Sequence, residues 1–215
     1  MADTTFERLG KELQSEGKTL RLGFTTAFEQ GVFAKLEAAM HEQYGNRVYI
    51  VRAASPKLAK DVRKGKLDAA FVALPLDVPG LVVRELPYKE ALVTAIPETW
   101  QLHQKKPLPL ERFSGRQLFW FKREANPAFF DFTKGRFSLV KFEPHFIEEP
   151  AEHDVLLARI ASGEGMGLFA ASFAAIKRDG VVFLKLAEQT DLYITLGVIT
   201  RQDHENLAKS LSSCF

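Results

Sequence analysis

The spacing of apolar positions changes period several times along the chain. Phe6, Leu9 and Leu13 form a thin apolar stripe on a charged background, which predicts a short helical lead-in over 3–18 that Gly17 ends. Leu20, Leu22 and Phe24 then alternate with Arg21 and Gly23, the period-two pattern of a strand over 19–24. Val32, Leu36, Ala39 and Met40 return to helical spacing, predicting a helix over 28–44. A strand over 47–53 follows. Next comes a helix that Ser55 would cap, with Pro56 at its first position and Gly65 just past its end. The unbroken apolar run 69–74 has the character of a strand buried on both faces.

The second part of the chain carries more of the same alternation. Strands are predicted over 81–86 and 91–96, and Pro97 ends the second. The segment 101–109 is rich in Pro and Lys and reads as a loop. Leu110 to Phe113 is a short helical turn and 117–121 an aromatic strand. Asn126-Pro127 opens a Phe-rich helix with a cap and a first-position proline. Further elements are a strand over 145–148, a helix over 154–162 stopped by Gly163, strands over 166–170, 181–186 and 192–200, and a helix over 204–211. Strands alternating with helices define an open α/β sheet with right-handed crossovers. One set of units occupies 20–96 and a second 97–190, and the last strand and helix are free to return to the first lobe.

Composition narrows the picture. The chain has 215 residues, enough for one domain or two small lobes. With 46% hydrophobic and 26% charged residues it has the balance of a globular protein and not of a disordered one. The 29 Lys and Arg against 27 Asp and Glu leave a net charge of +2, which provides no overall basic footprint for nucleic acid. One cysteine, Cys214, excludes an internal disulfide framework and a Cys-based zinc site. No apolar run of 18 residues occurs, and residues 1–18 lack the apolar core of a secretory signal, so a cytoplasmic protein without a membrane span is expected.

Catalytic signatures are missing. His41-Glu42 has no second histidine at zincin spacing, and the other histidines show no ligand spacing. There is no G-x-S-x-G elbow and no Walker A run. Gly163-Glu164-Gly165-Met166-Gly167 follows a helix and precedes a strand, the reverse of a dinucleotide loop, and reads as a helix stop. No enzyme activity, cofactor or metal is expected. What remains is binding chemistry. Phe24-Thr25-Thr26-Ala27 and Ser55 each lie between a strand end and a helix start, where an open α/β sheet binds ligands and helix N–H groups favour an anion. Capping accounts for each hydroxyl singly; two such strand ends in one sheet point to a shared site. Residues 101–123 carry a local +5 and residues 143–154 a local −5. These blocks read as solvated faces that partly neutralise each other, or as a setting in which Lys122 and Arg123 attract an anion.

The order of elements and motifs resembles the effector-binding (substrate-binding) domain of LysR-type transcriptional regulators. The resemblance is carried by Leu20 to Phe24, by Lys64-Gly65-Lys66-Leu67-Asp68-Ala69-Ala70-Phe71, by Ser162-Gly163-Glu164-Gly165-Met166-Gly167-Leu168, and by Leu196-Gly197-Val198, over about 19–212. It implies a type 2 periplasmic-binding-protein-like α/β fold, two subdomains joined by two crossover strands. Subdomain I would comprise 19–95 and 195–215, subdomain II 96–194, and residues 1–18 the remnant of a linker helix. The resemblance implies a small-molecule effector in an interdomain cleft, touching Thr25, Thr26, Ala27, Ser55, Lys122, Arg123 and Phe169, and positive residues there make an organic anion the expected ligand. Ala27 stands where the family commonly has a hydroxyl and Ala170 where it commonly has proline, so the ligand is expected to differ from the dicarboxylates some relatives bind. The resemblance also implies a homodimer, assembled into tetramers in the full regulator. Residues 1–18 do not supply the family's winged helix-turn-helix, so DNA contact is expected only through that domain. The alternative is a free-standing solute-binding protein of a transporter.

Overall fold

A computed structural model of the chain describes residues 19–102, 106–188 and 191–213. The predicted lead-in helix, His103, Lys105 and Cys214 lie outside them. The described residues divide into two units. The first comprises those up to Lys89 together with those from Thr195 onward, and the second is Glu90–Ile194.

The first unit is built on β1 (Leu20–Thr25), which pairs in parallel with β2 (Val48–Ala53) on one side and β3 (Ala69–Leu74) on the other. Strand β9 (Tyr193–Arg201) returns antiparallel along β3. Parallel neighbours need crossover helices, and α1 (Ala34–Tyr44) and α2 (Ser55–Arg63) supply them. A final helix, α5 (Glu205–Ser212), follows β9. One core centres on Phe24, which stacks on Phe33 at 4.7 Å and meets Phe71 edge-on at 5.4 Å, all three without solvent exposure. Burying each such ring contributes about 1.5–3 kcal/mol. A second core joins Leu58 and Val62 of α2 to Leu67, Ala70, Val72 and Ile199. Asp68 fixes the start of β1: its carboxylate accepts from the Arg21 backbone N–H at 2.8 Å and from the guanidinium at 2.7 and 3.1 Å.

Two expectations need correction here. The predicted helix over 28–44 begins later, with a 3-10 turn at Gln30–Phe33 preceding α1. The Gln30 side chain donates to the carbonyls of Thr25 and Phe28, which holds 26–29 as a turn, and Glu29 accepts from the Gly31 N–H. The two strands predicted around Pro87 are one, β4 (Leu81–Pro97). Pro87 is exposed, and proline is tolerated in a strand where its missing N–H leaves no ladder bond unmade. Strands β4 and β9 are the two segments of chain that pass from one unit to the other.

In the second unit β7 (Gly167–Ala170) and β8 (Val181–Lys185) pair antiparallel with β4. Strand β5 (Gln117–Trp120) pairs in parallel with β6 (His145–Glu148). On its other side β5 is tied to the approach to β7, with Phe119 N–H donating to Met166 O and Met166 N–H to Gln117 O, both at 2.9 Å. Helix α3 (Pro127–Leu139) starts where its sequence predicts, with Asn126 Oδ1 accepting from the Phe129 N–H. Its Phe129 and Phe137 pack on Trp120. Helix α4 (His153–Ala161) buries Leu156, Leu157 and Ile160 and ends before Gly163, whose φ of +91° is the left-handed turn that glycine permits.

Candidate functional site

Three strand ends of the first unit meet at two hydroxyls. Thr25 ends β1, Ser55 opens α2 and Ala73 lies near the end of β3. Ser55 is not the cap that its sequence predicts; Ala54 holds that position, its carbonyl accepting from the Lys57 and Leu58 N–H groups. The Ser55 hydroxyl instead turns inward, accepts from the Ala73 N–H at 2.9 Å and lies 2.8 Å from Thr25 Oγ1. Thr25 does not cap a helix either: its hydroxyl accepts from the Ala27 N–H at 3.2 Å. Thr25, Ala27 and Ser55 are thus joined by hydrogen bonds, while Thr26 N–H donates separately to Ala53 O at 3.1 Å.

The proton inventory of this group is informative. The two hydroxyls own two protons and spend one on each other. Both oxygens already accept a backbone N–H. Among the described residues the second proton has no acceptor. Thr25 is fully buried and Ser55 is 5% exposed, so the arrangement that suits solvent or a ligand has Thr25 donating to Ser55 and the Ser55 proton free. The start of α2 adds the positive end of a helix, which favours an anionic group.

In the second unit the predicted residues have other partners. Lys122 pairs with Glu148 at 3.0 Å, both exposed, and this pair joins the basic and acidic blocks of the sequence. Arg123 makes a two-pronged pair with Asp131, at 2.8 and 2.5 Å. That pairing holds the exposed Asp131 carboxyl below its usual range. Phe169 is buried in β7 within an aromatic group of His153, Phe173 and Phe183, with centroids 5.3 to 5.9 Å away. Burial lowers the His153 pKa, favouring the neutral ring. Sequence reading missed Ala73, Gln30 and Glu149. Glu149 follows β6, is half-buried, and its carboxyl is pushed up to about 7 by desolvation. Nothing in its local sequence marks it off from Glu148 beside it.

Two α/β units connected by two strands, one unit made from both ends of the chain, define the type 2 periplasmic-binding-protein-like class. Within that class, the chain matches the LysR substrate binding domain over residues 13–211 and belongs to that family. It is similar to the HTH-type transcriptional regulator BenM of Acinetobacter baylyi, with 24% identity over 192 residues covering 86% of this chain and 63% of that protein. It is similar to the HTH-type transcriptional regulator IlvR of Caulobacter vibrioides, with 25% identity over 193 residues covering 87% and 64%. The chain thus spans somewhat under two thirds of these relatives.

Solved structures agree on the fold. The effector-binding domain of BenM with its effector benzoate superposes with a TM-score of 0.71 at 20% identity, covering 90% of each chain. Full-length CbnR in complex with its target DNA gives 0.73 at 17% identity, covering 96% of this chain and 77% of that one. No helix among the described residues is long and apolar enough to cross a membrane.

Proposed function

We propose that this chain is the effector-sensing part of a LysR-type transcriptional regulator. It binds a small organic molecule that carries an anionic group. The single observation that carries the reading is the paired Thr25 and Ser55 hydroxyls at the strand ends of the first unit, beside the start of α2. Thr25, Thr26, Ala27 and Ser55 are the contacts from that unit. The effector acts by binding one conformation better than another, since only differential affinity shifts such an equilibrium. The domain works as a sensor without a catalytic step, in the cytoplasm, and reaches DNA through the family's N-terminal winged helix-turn-helix. The family match and the regulator relatives favour this over a solute-binding protein of a transporter.

A homodimer belongs to the same reading. Strand β2 lies at the end of its sheet with Tyr49 59% exposed, and β6 lies at the end of its two-stranded sheet with Phe146 44% exposed. Open edges bearing large apolar side chains are typical association sites. Tyr49→Glu should lower the mass found by sedimentation velocity if β2 is used.

The test of the sensing function is a thermal-shift screen against small carboxylates. An effector at 100 times its Kd stabilises by about 2.7 kcal/mol. The expected result is a saturable shift that Ser55→Ala weakens. A saturable ligand whose affinity is indifferent to both Ser55→Ala and Thr26→Ala would overturn the site.

A further inference from the structure

The turn that follows β1 is closed by a side chain. Its two ends are buried: Thr25 and Phe28 have no solvent exposure, and Phe28 meets Tyr88 edge-on at 5.9 Å. Between them Thr26 and Ala27 are half-buried and within reach of solvent. The Gln30 amide spans the two ends. Its Nε2 donates to Thr25 O at 3.2 Å and to Phe28 O at 3.0 Å, so one group holds both carbonyls. Gln30 is not engaged in capping its own 3-10 segment, because Glu29 accepts from the Gly31 N–H there.

Arg52 decides which end of that amide faces the turn. It lies on β2, opposite Phe24 of β1. Its Nε donates to Gln30 Oε1 at 3.0 Å, and its Nη2 pairs with Glu37 of α1. With the amide reversed, its oxygen would face two carbonyl acceptors and its nitrogen a guanidinium that only donates. Both ends are matched in one orientation and both mismatched in the other. Strand β2, helix α1 and the turn thus converge on Gln30, and every residue involved belongs to the first unit. A segment fixed in advance loses less conformational freedom when a ligand engages it.

We propose that Gln30 is a positioning residue of the effector site: it holds Thr26 and Ala27 in their binding arrangement, and Arg52 acts through it by fixing its amide. This rests on the sensing function proposed above for what the turn binds.

The experiment compares the unchanged chain with Gln30→Met, Arg52→Met and the double variant, each checked for folding by circular dichroism. Amide hydrogen exchange read by NMR comes first and needs no ligand. The probes are the Thr26 N–H, which donates to Ala53 O, and the Ala27 N–H, which donates to Thr25 Oγ1. The expected result in Gln30→Met is exchange about 10-fold faster at both, with Leu22 and Phe71 in the core keeping their rates. Arg52→Met should accelerate the same two amides less, and the double variant should match Gln30→Met alone, since coupled residues are not additive. Unchanged exchange at the turn, or acceleration spread evenly over turn and core, overturns the positioning role. Additive effects overturn the part assigned to Arg52. A thermal-shift titration with benzoate, 3-phenylpropionate, 4-methylpentanoate and succinate then reads binding, and Gln30→Met should weaken a saturable shift about 10-fold. A saturable shift that Ser55→Ala weakens and Gln30→Met does not leaves the sensing function standing and overturns the role of Gln30. No saturable shift from any of these anions overturns both.

Discussion

Removing the Ser55 hydroxyl tests the bonded group at the strand ends most directly. In Ser55→Ala the buried Ala73 N–H loses its acceptor, and Thr25 loses the partner 2.8 Å away. Thr25 still accepts from the Ala27 N–H, so its oxygen is not orphaned. The space vacated is that of one oxygen atom, and alanine is at least as good a helix former at this position. The dominant cost is the unpaired backbone donor, about 1–3 kcal/mol. For a chain of this length each kcal/mol moves the melting temperature by about 2–4 °C, so Ser55→Ala should melt about 4–8 °C lower for a cost near 2 kcal/mol. Differential scanning calorimetry, with urea unfolding alongside, measures it. The control is Lys209→Ala in α5, which removes its pair with Glu205. An exposed pair of this spacing is worth about 0.3–0.5 kcal/mol, a shift of about 1–2 °C. Equal melting temperatures for Ser55→Ala and the unchanged chain would refute the account of the hydroxyl pair. With an effector in hand, loss of a charge-assisted hydrogen bond of about 1.5–3 kcal/mol should weaken Kd roughly 10- to 150-fold.

Other outcomes follow from the same contacts. Asn126→Ala removes the side-chain acceptor at the start of α3 and should cost about 1 kcal/mol in urea unfolding. Asp68→Ala takes away three acceptor contacts to Arg21; a loss of about 1–3 kcal/mol is expected, and the same melt in Arg21→Ala should show a smaller one because the backbone N–H of residue 21 keeps Asp68. Glu149 gives a pH signature. Its folded pKa, about 7, lies above its ordinary value of 4.5. The folded state therefore binds the extra proton between those values, and stability falls as pH rises through that window. Glu149→Gln should raise the melting temperature more at pH 8 than at pH 5; a pH-independent difference would contradict the burial of that carboxyl.

Local sequence determined a large part of this protein. Alternation at Leu20, Leu22 and Phe24 and the apolar run 69–74 set β1 and β3, because a strand's periodicity is a property of its own residues. Asn126-Pro127 and Gly163 set helix ends, because capping acts within a few residues of the end. The G-x-L-D and G-E-G-x-G-L motifs were enough to bring the family into view, which the match over residues 13–211 then established.

Tertiary structure decided what these residues touch. Ser55 looks like a cap in sequence, yet its hydroxyl binds Thr25, 30 positions away, and Ala73, 18 positions away. Lys122 and Arg123 leave two readings open in sequence, mutual neutralisation of charged blocks or attraction of an anion; in the fold Glu148 of β6 and Asp131 of α3 pair with them. Two strands are expected over 81–86 and 91–96, yet β4 is continuous, and the exposure of Pro87 lets it run through. Glu149 is indistinguishable from Glu148 in sequence; in the fold Glu148 meets Lys122 while burial desolvates the Glu149 carboxyl. Periodicity and capping are short-range, so a chain carries them on its surface pattern. Hydrogen-bond partners, ion pairs and desolvation depend on which distant segments pack together, and only the folded chain specifies that.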